Sequence, residues 1–75
     1  MSEILEIDAR GLRCPLPVLR AQKALRGLAP GAMLRLRADD PMAQIDLPHF
    51  CTEAGHALLL ARAEGDGFLF EIRRG

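Results

Sequence analysis

Two prolines separated by a single residue, Pro15 and Pro17, restrict what the chain can form around "CPLP" at positions 14–17. Proline fixes its backbone angle φ and lacks the N–H group that regular secondary structure requires. In the first turn of a helix this loss has no cost, because the amides there have no acceptor within the helix. The two prolines therefore predict the start of a helix, with Cys14 at about its N-cap.

A cysteine at a helix N-terminus is in a position that favours its ionised form. Unpaired N–H groups and the positive end of the helix dipole stabilise a thiolate. Arg10, Arg13 and three further basic residues lie between positions 10 and 26, a stretch without an acidic residue. This pattern predicts a lowered pKa and a nucleophilic thiol for Cys14. The alternative is a buried structural cysteine, the usual role of a lone cysteine.

Apolar residues alternate with polar ones, or cluster, in four segments that predict strands. In "MLRLRA", Leu34 and Leu36 point to one side while Arg35 and Arg37 point to the other. The last two segments flank "GDG", a glycine-rich turn that predicts a hairpin. The predicted strands cover residues 3–8, 33–38, 56–64 and 68–73.

Apolar residues at steps of three and four predict two helices. The first follows the two prolines and ends at Gly27. The second is expected to begin near residue 41, after Asp40 as an N-cap. We expect Pro48 to interrupt this second helix, with Asp46 as the cap of a restarted turn.

The element order β-α-β-α-β-β predicts an α+β fold, a two-layer sandwich with a mixed four-stranded sheet. Strand-helix-strand connections favour parallel neighbours, and the closing hairpin adds an antiparallel pair. One face of the sheet is polar, so both helices are expected on the other face. Seventy-five residues have the size of one domain, and we assign residues 1–75 to it. Asp39 is interpreted as a helix-entry residue, and Asp8 as a residue that orients the loop of Cys14.

Ten basic and ten acidic residues give a net charge of zero, which removes the general argument for binding nucleic acid or membranes. The sequence has neither the long apolar run of a membrane span nor the pattern of a signal peptide. We therefore expect a cytoplasmic protein with reduced thiols and no direct contact with nucleic acid or membrane. We expect a monomer, since packing two helices on the sheet leaves no large apolar surface.

The second cysteine, Cys51, belongs to an apolar helical stripe that includes Leu47, and it is interpreted as a core residue. The alternative is a second sulfur-binding thiol, which would have to reach Cys14. The spacing of His49, Cys51 and His56 matches no zinc pattern. The sequence predicts no metal site.

The other residues of the chain limit the reactions in which Cys14 could take part. No second cysteine at CxxC spacing is present to resolve a disulfide, which argues against a thioredoxin-like oxidoreductase. A hydrolase that pairs Cys14 with His49 or His56 stays open, but a short chain has little room for a substrate cleft. The remaining interpretation is a nucleophile that accepts a group from one protein and passes it to another.

Three segments carry a resemblance: "DARGLRCPLP" at 8–17, "ADDPMAQID" at 38–46 and "FCTEAGH" at 50–56. Together they resemble the TusA (SirA-like) family of small sulfur-carrier proteins. The match covers nearly the whole chain. Cys-Pro-x-Pro combined with Asp-Asp-Pro at this distance is far more specific than either motif alone.

This resemblance implies a two-layer fold in which Cys14 carries a persulfide, with Gly11, Pro15 and Pro17 shaping the motif. Family members accept sulfane sulfur from a cysteine desulfurase or a rhodanese-like donor and relay it to an acceptor protein. In the best known case the sulfur ends in the 2-thiouridine of tRNA, and other members serve sulfur oxidation or cofactor assembly. The implied protein is a sulfurtransferase-like persulfide carrier rather than a stand-alone enzyme, and it needs no cofactor.

The basic side chains near the thiol have two interpretations. They form either a solvated helix surface, the usual case, or a docking surface for acidic partner proteins. The docking residues would be Arg13, Arg20, Lys23 and Arg26. An alternative function is a redox-sensing regulatory or interaction module in which Cys14 does not carry sulfur. RNA binding through the basic helix ranks last, because the net charge is zero and aromatic residues are few.

Overall fold

The computed structural model describes residues 4–75, and its six elements follow the predicted order. The predicted strand residue Glu3 lies outside the described residues. The elements are β1 (Ile4–Asp8), α1 (Leu16–Arg26), β2 (Met33–Ala38), α2 (Ala43–Ala54), β3 (Ala57–Glu64) and β4 (Gly67–Arg73). Within residues 4–75, no helix is both long enough and apolar enough to span a bilayer.

The strands form one mixed sheet in the order β1-β2-β4-β3. Strands β1 and β2 are parallel, since α1 connects them, whereas β4 is antiparallel to both β2 and β3. A two-residue turn joins β3 to β4, because Glu64 pairs with Gly67. Gly65, the first residue of this turn, has a φ of 58°, a conformation that glycine adopts without strain. The α+β class and the mixed sheet are confirmed.

Alternation along β2 gives the sheet two unlike faces. Leu34 and Leu36 are fully buried and pair with Ile72 and Phe70 of β4 on the face that both helices cover. The helices contribute small and aliphatic side chains to this core. Those with the least exposure are Ala21 and Leu25 of α1 and Ala43, Leu47 and Cys51 of α2.

The opposite face of the sheet carries paired charges. Arg35 donates to Glu71 at 2.8 Å, and Arg37 donates to Glu64 at 2.9 Å and to Glu6 at 3.0 Å. These bonds to the two carboxylates raise the pKa of Arg37. Because each arginine of β2 has acidic partners on neighbouring strands, this face is electrically compensated. The side chains that could take part in chemistry lie instead on the side of the sheet that the two helices cover.

Helix α2 is continuous through Pro48, and the predicted interruption is wrong. The cost of an internal proline, about 3 kcal/mol, is offset by burying the apolar stripe on either side of it. Leu47 is fully buried and Cys51 is 2% exposed, so one uninterrupted helix keeps both in the core. Asp46 therefore caps no restarted turn and lies instead in the first turn of α2.

Candidate functional site

The loop that carries Cys14 begins with a tight turn. The N–H of Leu12 donates to the carbonyl of Ala9 at 3.2 Å, and Gly11 at the third position has a φ of 84°. This is the angle that a type II turn requires at that position, which favours glycine. The N–H of Gly11 donates to Oδ1 of Asp39 at 2.9 Å, so the turn is attached to the segment after β2.

Asp40 holds the cysteine itself. Its Oδ2 accepts the N–H of Cys14 at 2.7 Å, and its Oδ1 accepts the N–H of Met42 at 3.1 Å. Asp40 is buried, and these two bonds lower its pKa. The bond to Met42 is the helix-entry role that the sequence predicts. The bond to Cys14 joins residues far apart in sequence, and no local pattern signals it.

Helix α1 begins at Leu16 with Pro15 as its N-cap, so Cys14 lies one residue further from the helix than predicted. The Cys14–Pro15 peptide bond is cis. Pro17 lies in the first turn and is buried, whereas Cys14 is exposed. The two prolines stand at the start of the helix, and the thiol is displayed just outside it.

The predicted lowering of the Cys14 pKa is wrong, because its pKa is raised. The main cause is a hydrogen bond with the carboxylate of Asp46, followed by desolvation and by the negative charges of Asp46 and Asp40. The amides expected to stabilise a thiolate are scarce. Pro15 and Pro17 have no N–H, and the N–H of Leu16 donates to the carbonyl of residue 13 at 2.7 Å.

The arginines near Cys14 in sequence interact with other groups. Arg10 donates through Nε to Asp8 at 2.8 Å, and Arg13 contacts Asp39 at 3.4 Å. Asp8 also accepts the backbone N–H of Arg10, so it organises the start of the loop, as predicted, through a neighbour and not through Cys14. The carboxylates of Asp39 and Asp40 attach the rest of the loop.

Cys14 lies at a groove between the two helices, with a volume of about 320 Å³. Pro15, Val18 and Phe50 form its apolar part. The polar groups come from α2 and are Asp46, His49 and Glu53. His49 and Glu53 approach each other at 3.7 Å across one helical turn. The groove is therefore an apolar surface with acidic groups beside the thiol.

The structure separates Arg20 and Lys23 from this groove. Both line a second groove of about 530 Å³, between α1 and the edge strand β1, whose apolar part includes Leu5 and Ile7. Arg26 is exposed in the last turn of α1. None of the four predicted docking residues lines the groove of Cys14, although Arg13 directly precedes Cys14 in the chain.

Cys51 is buried in the core as predicted, and burial raises the pKa of its thiol. Both cysteines are free. His56 accepts the N–H of Gly75 through Nδ1 at 3.0 Å and packs near the ring of Phe50. Across residues 4–75, no three His, Cys, Asp or Glu side chains are grouped to hold a metal ion.

Comparison with known proteins extends these observations. The family model described as sulfurtransferase TusA matches residues 5–74, which confirms the predicted resemblance. The crystal structure of a SirA-like protein from Desulfitobacterium hafniense superposes with a TM-score of 0.83 at 28% sequence identity. The alignment covers 97% of this chain and 99% of that protein.

Proposed function

Because the chain belongs to the sulfurtransferase TusA family, we propose that it is a sulfur carrier that holds sulfane sulfur as a persulfide on Cys14. A cysteine desulfurase or a rhodanese-like protein supplies the sulfur, and an acceptor protein of a sulfur relay receives it. The protein acts as a carrier between two partners, without a cofactor and not as a stand-alone enzyme.

The observation that carries this proposal is the contrast between the two thiols. Cys14 is exposed at a helix–helix groove, on a loop attached to Asp39 and Asp40. Cys51 is 2% exposed and cannot meet a partner without unfolding. A carrier needs one thiol that two proteins can reach in turn, and Cys14 meets this requirement.

Transfer proceeds by exchange at sulfur. The Cys14 sulfur, as thiolate, attacks the terminal sulfur of the donor persulfide. A new sulfur–sulfur bond forms on Cys14 and the sulfur–sulfur bond of the donor breaks, so the donor cysteine leaves as a thiolate. The proton that Cys14 loses is taken up by the donor thiolate. No net oxidation occurs, because the sulfane sulfur moves with its oxidation state unchanged, and the same exchange in reverse delivers it to the acceptor.

The basic surface supports a docking role for acidic parts of partner proteins. Within residues 4–75, Arg20, Lys23 and Arg26 take part in no ion pair, so their charges are available to a partner. Arg13 contacts Asp39 at 3.4 Å and directly precedes Cys14 in the chain. Because Arg20 and Lys23 face the second groove, they would hold a partner at a distance from the thiol.

The sulfur-carrier proposal is tested by loading. The reduced protein is incubated with a cysteine desulfurase and cysteine, and its intact mass is measured without reductant. We expect one added sulfur atom, released by dithiothreitol. Cys14→Ser should abolish the gain and Cys51→Ser should retain it. No gain with either a desulfurase or a rhodanese-like donor, while Cys14 still alkylates, would favour the redox-sensing module instead.

We propose that the sulfur passes to a relay in the cytoplasm, of which synthesis of tRNA 2-thiouridine is the first to test. The protein is expected to act as a monomer and to contact relay proteins rather than the RNA. Deleting the gene and measuring 2-thiouridine in total tRNA by mass spectrometry tests the destination. An unchanged level would direct attention to sulfur oxidation or cofactor assembly.

A further inference from the structure

The carboxylate of Asp46 makes no hydrogen bond that caps its own helix, although the residue lies in the first turn of α2. It lies four residues after the N-cap Met42, and the start of α2 has no side-chain capping bond. Within residues 4–75, Asp46 forms no ion pair. Its side chain lines the groove between the helices, on the same groove as Cys14. The carboxylate is therefore placed in the groove beside the thiol and raises the pKa of Cys14.

The charges that face Cys14 are mainly negative. Helix α2 places Asp46, Glu53 and the titratable His49 in the groove, and the segment before it contributes Asp40. On the loop of Cys14, the guanidinium of Arg13 is directed to Asp39 at 3.4 Å. Helix α1 contributes Val18, an apolar side chain, to the same groove. A small anion that approaches the sulfur therefore meets carboxylates.

We propose that Asp46 is a positioning residue that determines which sulfur compounds reach Cys14. Its carboxylate lines the groove beside the thiol and repels anions, so that Cys14 reacts with a donor that brings a neutral or cationic group into the groove. Anionic sulfur compounds in solution, such as polysulfides, are disfavoured. This inference rests on the proposed carrier function for its biological meaning, but the contact between Asp46 and Cys14 is testable without sulfur transfer.

The test compares two thiol reagents of similar size and opposite charge. Trimethylammonium-ethyl methanethiosulfonate is a cation, and sulfonatoethyl methanethiosulfonate is an anion. Each forms a mixed disulfide with a thiolate and releases methanesulfinate. Because both rates are proportional to the fraction of thiolate, the ratio of the two rates does not depend on that fraction. Dividing this ratio by the ratio measured for 2-mercaptoethanol removes the intrinsic difference between the reagents. Peptide mass spectrometry locates the modification at Cys14.

We expect the corrected ratio to exceed one in the wild-type protein and to fall about two- to five-fold in Asp46→Asn, the effect of one partly screened charge. Glu53→Gln should reduce it less. Asp66→Asn, which removes an equal charge at the β3–β4 turn, should leave it unchanged. Added sodium chloride should reduce the wild-type ratio, since salt screens exposed charges. Loading of Cys14 by inorganic polysulfide should become faster in Asp46→Asn.

A ratio that Asp46→Asn leaves equal to the wild-type value overturns the inference, and so does a wild-type ratio of one that salt does not change. These outcomes differ from failure of the proposed function. If a desulfurase loads Cys14 but Asp46→Asn has no effect on the ratio, the carrier stands and the role of Asp46 falls. If no protein donor loads Cys14 and the ratio responds to Asp46→Asn, the contact is established and the carrier function falls.

Discussion

The backbone N–H of Cys14 donates a 2.7 Å hydrogen bond to Oδ2 of Asp40, a residue 26 positions later in the chain. The other oxygen of the same carboxylate accepts the N–H of Met42. One buried side chain thus connects the loop of the thiol to the start of α2, which supplies the acidic side of the groove. The position of the cysteine therefore depends on a contact between the two halves of the chain.

Asp40→Asn should loosen the loop of Cys14. Asparagine offers a single side-chain acceptor oxygen, so one of the two N–H groups loses its partner. We expect the Cys14 amide to exchange with deuterium about tenfold faster, the size of effect that one lost hydrogen bond produces. Amide exchange followed by NMR measures this. Asp66→Asn is the control for the lost charge, and equal exchange in both variants would contradict the assigned role.

The rate of Cys14 alkylation should depend on pH in a defined direction. Its pKa is raised in the folded protein, so the thiol form persists to higher pH than in the unfolded chain. We expect the alkylation midpoint with iodoacetamide to lie above that of the urea-unfolded protein. Stability contributed by this group is present at low pH and is lost as pH rises through the folded pKa. An alkylation midpoint below that of the unfolded protein would instead support the lowered pKa of Cys14 that the sequence predicts.

Cys51→Ser should destabilise the protein while leaving Cys14 accessible. The serine hydroxyl would enter a site that is 2% exposed, among Leu47 and other apolar side chains. Burying an uncompensated hydroxyl costs about 1–3 kcal/mol. Urea denaturation measures the loss, and Cys51→Ala separates the hydroxyl effect from the lost volume. A variant as stable as the wild-type protein would show that this site is open to water.

Gly67→Ala should destabilise the hairpin and the neighbouring loop. A Cβ at this position would lie 2.6 Å from the carbonyl oxygen of Ala38 and 3.3 Å from Asp39, so backbone has to move. We expect a loss of about 1–3 kcal/mol in urea denaturation, the usual range for overpacking. Gly27→Ala is the matched control, because its Cβ would make an ordinary 3.6 Å contact. Equal stability of both variants would contradict the close packing at Gly67.

Stability should fall in acid between about pH 4 and pH 2. Bonds to the side chain and the N–H of Arg10 lower the pKa of Asp8 from 3.8 to about 2, and the pKa of Asp40 is lowered as well. A lowered folded pKa contributes stability above the unfolded pKa, and this contribution is lost as pH falls through the folded value. Thermal unfolding at several pH values measures the decline. In Asp40→Asn, stability should decline less steeply as the pH falls. An equally steep decline would show that other carboxylates cause the loss of stability in acid.

Local patterns were sufficient for most of the fold. Strand β2 was predicted with its observed bounds because alternation of leucine and arginine has a period of two, which only a strand can place on two faces. The hairpin followed from its glycine-rich turn, and the start of α1 followed from the two prolines. The prediction at Pro48 was wrong. The cost of a proline inside a helix can be read from the sequence, whereas the burial of Leu47 and Cys51, which offsets this cost, is a property of the packed core.

For the site, the sequence by itself determined that Cys14 is a displayed thiol at a helix start and that the chain resembles a sulfur-carrier family. Its electrostatic surroundings were decided only by the tertiary structure. Arginines near Cys14 in sequence pair with Asp8 and Asp39, while Asp46, distant in sequence, lines the same groove as the thiol. The energy of an electrostatic interaction depends on the distance between two charges in space. Once two helices pack side by side, the separation of two residues in sequence no longer predicts that distance.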